Sequence, residues 1–137
     1  MVTKPGPNRA PRLDGVRVLV VDDDRECLDL ITTLLSLHGA TVMAVASAPA
    51  ALAVLQRERP QVLLSDVSMP TEDGYWLIKS VRALSVARGG ATPAAAVTGL
   101  PSDHRAQLLR AGFQSHVTKP FDPVHLVGVV EELALSA

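Results

Sequence analysis

Five short runs along the chain lack a clean apolar and polar alternation: RVLVV from Arg17, TVMAVA from Thr41 to Ala46, VLLS from Val62 to Ser65, AAAV from Ala94 to Val97 and SHVT from Ser115 to Thr118. Runs of this kind, rich in β-branched or small apolar residues, suit parallel strands buried on both faces. The segments between them have helical spacing instead. Leu28, Ile31, Leu34 and Leu35 share one face of a helix that begins after Asp24 and stops at His38-Gly39. Ser47 caps a second helix, with Pro49 in its first turn and Leu52 and Leu55 along it to Arg57. A third carries Leu77, Ile78, Val81 and Leu84; a fourth spans Ser102 to Gly112 with Leu108 and Leu109 inward; a fifth starts near Pro123 and buries Leu126, Val127, Val130 and Leu133. Strand and helix thus alternate five times, with crossovers long enough for parallel pairing, which predicts an α/β doubly wound sheet.

Residues 1–14 do not fit this rhythm. Pro5, Pro7 and Pro11 punctuate a stretch with little to bury, so it is expected to be a flexible lead-in or linker, with one domain over residues 15–137. The formal charge of −1 offers no broad cationic field, which counts against nucleic acid and anionic membranes as partners. Cys27, the single cysteine, allows neither an internal disulfide nor a cysteine-based zinc site. No apolar run approaches the roughly 20 residues of a membrane span, and the N-terminus lacks the apolar centre of a signal peptide, so a cytoplasmic location is expected.

Ligands of doubly wound sheets sit beyond the carboxyl ends of the strands, and the residues there carry the chemistry. The first strand ends in Asp22-Asp23-Asp24. One aspartate would cap the following helix; three in succession repel one another unless a hard cation such as Mg²⁺ sits among them. No glycine-rich loop follows, which removes the usual dinucleotide and phosphate-loop readings. Asp66 ends the third strand and leads through Val67-Ser68-Met69-Pro70 to a turn at Asp73-Gly74. Thr98-Gly99 ends the fourth and Lys119-Pro120 the fifth. Each alone could be an ordinary turn, strand-end or surface residue. Together they are the parts needed to move a phosphoryl group onto a carboxylate: a metal site, a nucleophile, a hydroxyl and an ammonium.

The ordered set VRVLVVDDD, LLSDVSMPTEDGY, AAVTG and HVTKPFDP resembles the receiver domain of two-component response regulators over essentially residues 15 to 135. The resemblance implies a flavodoxin-like sheet of five parallel strands in the order 2-1-3-4-5, without enzymatic activity beyond the domain's own phosphorylation and dephosphorylation. It implies Asp66 as phosphoacceptor, Asp22 and Asp23 as the acidic pair for Mg²⁺, and the carbonyl of Ser68 as a further ligand. Asp23 would bind the metal directly and Asp22 mainly through water. Thr98 would bond a phosphoryl oxygen, Lys119 would pair with the phosphoryl group or, before transfer, with Asp66, and Lys119-Pro120 would be cis. Thr98 and His116 would form the switch, with His116 where an aromatic ring is usual. Ser68 and Leu100 stand where side chains influence dephosphorylation in the family. The implied partners are a histidine kinase or phosphotransfer protein and a downstream protein, with a homodimer possible through the fourth helix, fifth strand and fifth helix. The segments LDGVRVLVVDDD, RGGATPAAAVTG and AGFQSHVTKPFDP look most like receivers attached to hybrid sensor kinases.

Two alternatives remain open at this level. An aspartate-nucleophile phosphohydrolase of haloacid dehalogenase type would use Asp22-x-Asp24 as nucleophile and acid, and a receiver-like binding module would never be phosphorylated. The four histidines, on different elements, have no metal-ligand spacing; Cys27 reads as an ordinary buried thiol, and Trp76 as partly exposed.

Overall fold

The computed structural model describes residues 12–99 and 104–136. Five parallel strands, β1 (Arg17–Val21), β2 (Thr41–Val45), β3 (Val62–Ser65), β4 (Ala94–Thr98) and β5 (Ser115–Thr118), form one sheet in the order β2-β1-β3-β4-β5. The helices are α1 (Arg25–Leu37), α2 (Ala48–Glu58), α3 (Gly74–Arg82), α4 (Arg105–Ala111) and α5 (Pro123–Leu135), with a 3-10 turn at Val86–Arg88. The expected doubly wound architecture is therefore present in both topology and strand order.

Strand residues alternate between two apolar cores because successive side chains point to opposite faces. Val18, Val20, Leu64 and Val97 pack with Ile31, Leu35, Leu126 and Val130 of α1 and α5. Leu19, Val21, Leu63 and Ala96 pack with Leu55, Leu77, Ile78 and Leu108 of α2, α3 and α4. Helix starts are fixed by side-chain caps: Asp24, Ser47, Asp73 and Asp122 accept from free N–H groups of α1, α2, α3 and α5.

Some expectations shift. Leu13 is fully buried and its N–H donates to the His38 carbonyl at 2.8 Å, so packed structure reaches back before residue 15. Leu109, expected inward, is 40% exposed while Leu108 is buried. Neighbours on a helix lie about 100° apart, and a helix as short as α4 covers the sheet with one narrow stripe. Leu84 follows the end of α3 at Arg82 instead of lying within it, although it still packs against the core. The expected helix start at Ser102, like Leu100, lies outside the described residues.

Candidate functional site

The carboxyl ends of β1, β3, β4 and β5 lie side by side because β1 pairs β3, β3 pairs β4 and β4 pairs β5 in register. The chain therefore delivers four loops to one edge of the sheet. The three aspartates after β1 separate into different roles there. Asp24 is the helix cap, its Oδ1 accepting from the N–H groups of Glu26 at 3.1 Å and Cys27 at 3.5 Å. Asp22 is 1% exposed; its Oδ1 accepts from the Asp24 N–H at 2.9 Å and its Oδ2 from Lys119 Nζ at 2.8 Å. Asp23 is exposed. The reading of this cluster as a helix cap holds for Asp24, while Asp22 and Asp23 are left free of that role. Because Asp24 is engaged as the cap, it is not positioned as the acid that the phosphohydrolase alternative requires.

Asp66 stands just beyond β3, 7% exposed, with its N–H donating to the Val21 carbonyl at 2.9 Å. Burial, and then the Asp22 charge, push its carboxyl up from 3.8 to about 6, against the opposing pull of Lys119 and the backbone N–H groups of Ser68 and Val67. Lys119 Nζ lies 3.7 Å from Asp66 Oδ2, so the ammonium sits closer to Asp22 than to Asp66. Burial works to lower the Lys119 pKa, but the hydrogen bond to Asp22 and the charges of Asp66 and Asp22 outweigh it and hold it above the ordinary lysine value. Lys119-Pro120 is cis.

One carboxylate oxygen from each of Asp22, Asp23 and Asp66 lies within 4.8 Å of the others. Three carboxylates with a single ammonium, which reaches only Asp22 and Asp66, leave an excess of negative charge, and this donor set suits Mg²⁺. The Ser68 N–H donates to Asp66 Oδ1 at 3.4 Å, which holds that loop over the carboxylate. Thr98 is buried at the end of β4, where its carbonyl accepts from the Lys119 N–H at 2.8 Å. His116 lies earlier on β5, partly buried and in register with Ala96.

Two residues at the site carried no functional signal in the sequence. A Cβ on Gly74 would lie 2.4 Å from the Asp66 carbonyl oxygen and 2.7 Å from Val67 Cα, so only glycine lets α3 start this close to the Asp66 loop. Its occurrence in an Asp-Gly pair read simply as a turn. Cys27 is half-buried beside the cluster, and burial together with Asp22 pushes its thiol up to about 11. It also lines a cavity of about 470 Å³ between α1 and the start of α5, with Leu30, Leu34, Lys119 and Phe121.

The sequence model of the response regulator receiver domain matches residues 18–131. A 14.6 kDa protein of Leptolyngbya boryana is 42% identical over 120 residues, covering 87% of this chain and 90% of that protein. The sensor protein GacS of Pseudomonas syringae is 36% identical over 92% of this chain, which spans only 14% of GacS. Among solved structures, the receiver domain of a sensor histidine kinase from Pseudomonas aeruginosa, described with a magnesium ion coordinated in its active site cleft, superposes with a TM-score of 0.80. That pair is 27% identical, with 88% of this chain and 98% of the other covered.

Proposed function

This chain belongs to the response regulator receiver domain family of two-component systems, and from that premise we propose that Asp66 is its phosphoacceptor, charged by a phosphohistidine donor. The observation that carries the assignment is the convergence of Asp66 with Asp22 and Asp23 within 4.8 Å, beside the Lys119 ammonium at 3.7 Å. Asp22, Asp23, Asp66 and the Ser68 carbonyl would hold Mg²⁺. When bound, that ion supplies positive charge against the phosphoryl oxygens.

The chain's own groups do the rest. An Asp66 carboxylate oxygen forms the new bond to phosphorus as the bond from phosphorus to the donor imidazole nitrogen breaks, leaving an acyl phosphate. Lys119 turns from Asp22 toward the incoming phosphoryl oxygens, and the Thr98 hydroxyl donates to one of them. His116, on the strand beside Thr98, takes up the space the threonine vacates, and the chemical event becomes a change of surface.

The donor is a histidine kinase or phosphotransfer protein, and the apolar rim of Leu30, Leu34 and Phe121 beside Lys119 suits a protein donor. Output passes through α4, β5 and α5, where Val124 and Leu135 are 64% and 82% exposed and available to a downstream protein or a second copy. Among the described residues no helix is long and apolar enough to cross a membrane. A cytoplasmic location goes with this reading, and there Cys27 stays reduced.

Incubation with Mg²⁺ and acetyl phosphate should add one acid-stable, alkali-labile phosphoryl group, detected by intact mass. Asp66→Asn should take up none, and full labelling of that variant would overturn the assignment. Asp23→Ala should label at least about 100-fold more slowly, since it removes the direct metal ligand.

A further inference from the structure

Charge is divided unevenly along the chain. From Gly74 through Phe121 six Lys or Arg residues face one carboxylate, Asp103, so the net charge of −1 resolves into +5 for this stretch and −6 for the remainder. Lys119 is committed to the acidic site, and the guanidinium of Arg82 is engaged with Gly90, Thr92, Gly112 and Gln114. Lys79 on α3 and Arg110 on α4 are exposed and take part in none of the ion pairs among the described residues. Neither helix contains a carboxylate of its own.

Between these two helices lies a cavity of about 430 Å³ lined by Tyr75, Lys79, Gln107, Arg110 and Ala111. It shares no residue with the acidic site, and its volume falls within the roughly 300–1,000 Å³ typical of small-molecule sites. The helices beneath it are closely fitted: a Cβ on Gly112 would lie 2.9 Å from Arg82 Cγ and 3.1 Å from Ile78 Cγ1, and Arg82 Nε donates to the Gly112 carbonyl at 3.0 Å. Tyr75 forms part of the cavity wall, and the Tyr75 hydroxyl is buried without a hydrogen-bond partner, a donor the folded chain leaves unused. An ammonium on one helix and a guanidinium and a carboxamide on the other make a donor-rich lining, with Tyr75 completing the wall. Arginine grips phosphate oxygens in a planar fork and lysine adds a point charge, so phosphate is the group this set complements.

We propose that the cavity between α3 and α4 binds a small phosphate-bearing molecule of nucleotide size, with Lys79 and Arg110 clasping its phosphates. The test is a ¹⁵N NMR titration of the full chain with ATP and with pyrophosphate, in EDTA so that the acidic site holds no metal. Shifts should centre on residues 75–79 and 107–111 and saturate with a dissociation constant below about 1 mM. A Lys79→Gln/Arg110→Gln double variant should bind at least about tenfold more weakly, while its labelling by acetyl phosphate stays unchanged. Both substitutions are at exposed positions, and a retained wild-type spectrum elsewhere verifies the fold. Shifts confined to residues 22–24, 66–68 and 119, or equal affinity in the double variant, would overturn the proposal. Saturation by an oligoglutamate peptide but by neither ATP nor pyrophosphate would overturn it in favour of an acidic protein partner.

Discussion

Arg82 and the Lys119 cluster are both partly buried charged groups held where loops meet the sheet, and they are solved in opposite ways. Arg82 reaches the N-terminal edge, where Nε donates to the Gly112 carbonyl at 3.0 Å, Nη1 to those of Gly90 at 2.9 Å and Thr92 at 2.7 Å, and Nη2 to Gln114 Oε1 at 3.0 Å. No carboxylate takes part in these bonds; oriented dipoles satisfy the cation, and it ties the end of α3 to the segments entering β4 and β5. At the C-terminal edge one ammonium faces Asp22 and Asp66, with Asp23 close by, and burial, then the Asp22 charge, raise the Asp66 pKa. A partly buried charge answered by four oriented oxygen acceptors is inert scaffolding. One left in excess stores repulsion that a cation or an incoming phosphoryl group can act on.

The largest effect expected from this contrast is on stability at the satisfied end. Arg82→Met removes four hydrogen bonds and leaves carbonyls unpaired, and should destabilise the fold by about 3 kcal/mol in urea titrations, since charged hydrogen bonds contribute about 1.5–3 kcal/mol each with much non-additivity. Acetyl phosphate labelling of the folded fraction should keep its wild-type rate, and a slowed rate would erase the distinction between the two clusters. Next comes Gly74→Ala. Its methyl group meets the Asp66 carbonyl and Val67 Cα, so it should cost about 2 kcal/mol as overpacking does, and here labelling should slow as well because the displaced segment carries Asp66. Unchanged labelling by Gly74→Ala would mean that the fit of α3 against this loop has no part in the chemistry.

β1 and β3 were legible because they are buried on both faces, and only unbroken apolar runs survive there; the starts of α1 and α2 were legible because Asp24 and Ser47 use side-chain capping chemistry, whereas the Asp73 cap of α3 read only as part of a turn. Asp22, Asp23, Asp66 and Lys119 could be brought together in the sequence because each follows directly on a strand of a parallel sheet, and strand order alone decides whether they meet. What resisted were properties set by tertiary approach. Gly74 has an ordinary backbone conformation, so nothing local distinguishes it from any turn glycine; its necessity comes from the Asp66 loop lying against it. Leu109 has the composition of a core residue but falls on the outer side of a two-turn helix. The preference of Lys119 for Asp22 over Asp66 is a matter of about one ångström, between 2.8 and 3.7 Å, which spacing along the chain does not encode.

The smallest effect is the one that tests how burial and the Asp22 charge together act on Asp66. The folded chain holds the Asp66 proton up to about pH 6, whereas the unfolded chain releases it near the ordinary 3.8. Between those values the folded state binds more protons than the unfolded state, so stability from this group falls as pH rises through the window and the full penalty remains above it. The whole shift would correspond to about 3 kcal/mol, but the carboxylate keeps some contact with solvent and its neighbours relax, so roughly 1–2 kcal/mol is expected. Asp66→Asn carries no such charge. In EDTA its urea midpoint should match that of the wild type near pH 4 and exceed it progressively toward pH 7. Addition of Mg²⁺ at pH 7 should then raise the wild-type midpoint and narrow the gap, because a cation among the carboxylates relieves the same repulsion. Parallel curves across the whole range in EDTA would show that Asp66 is as comfortably accommodated as Arg82, and the contrast between the two clusters would lose its physical basis.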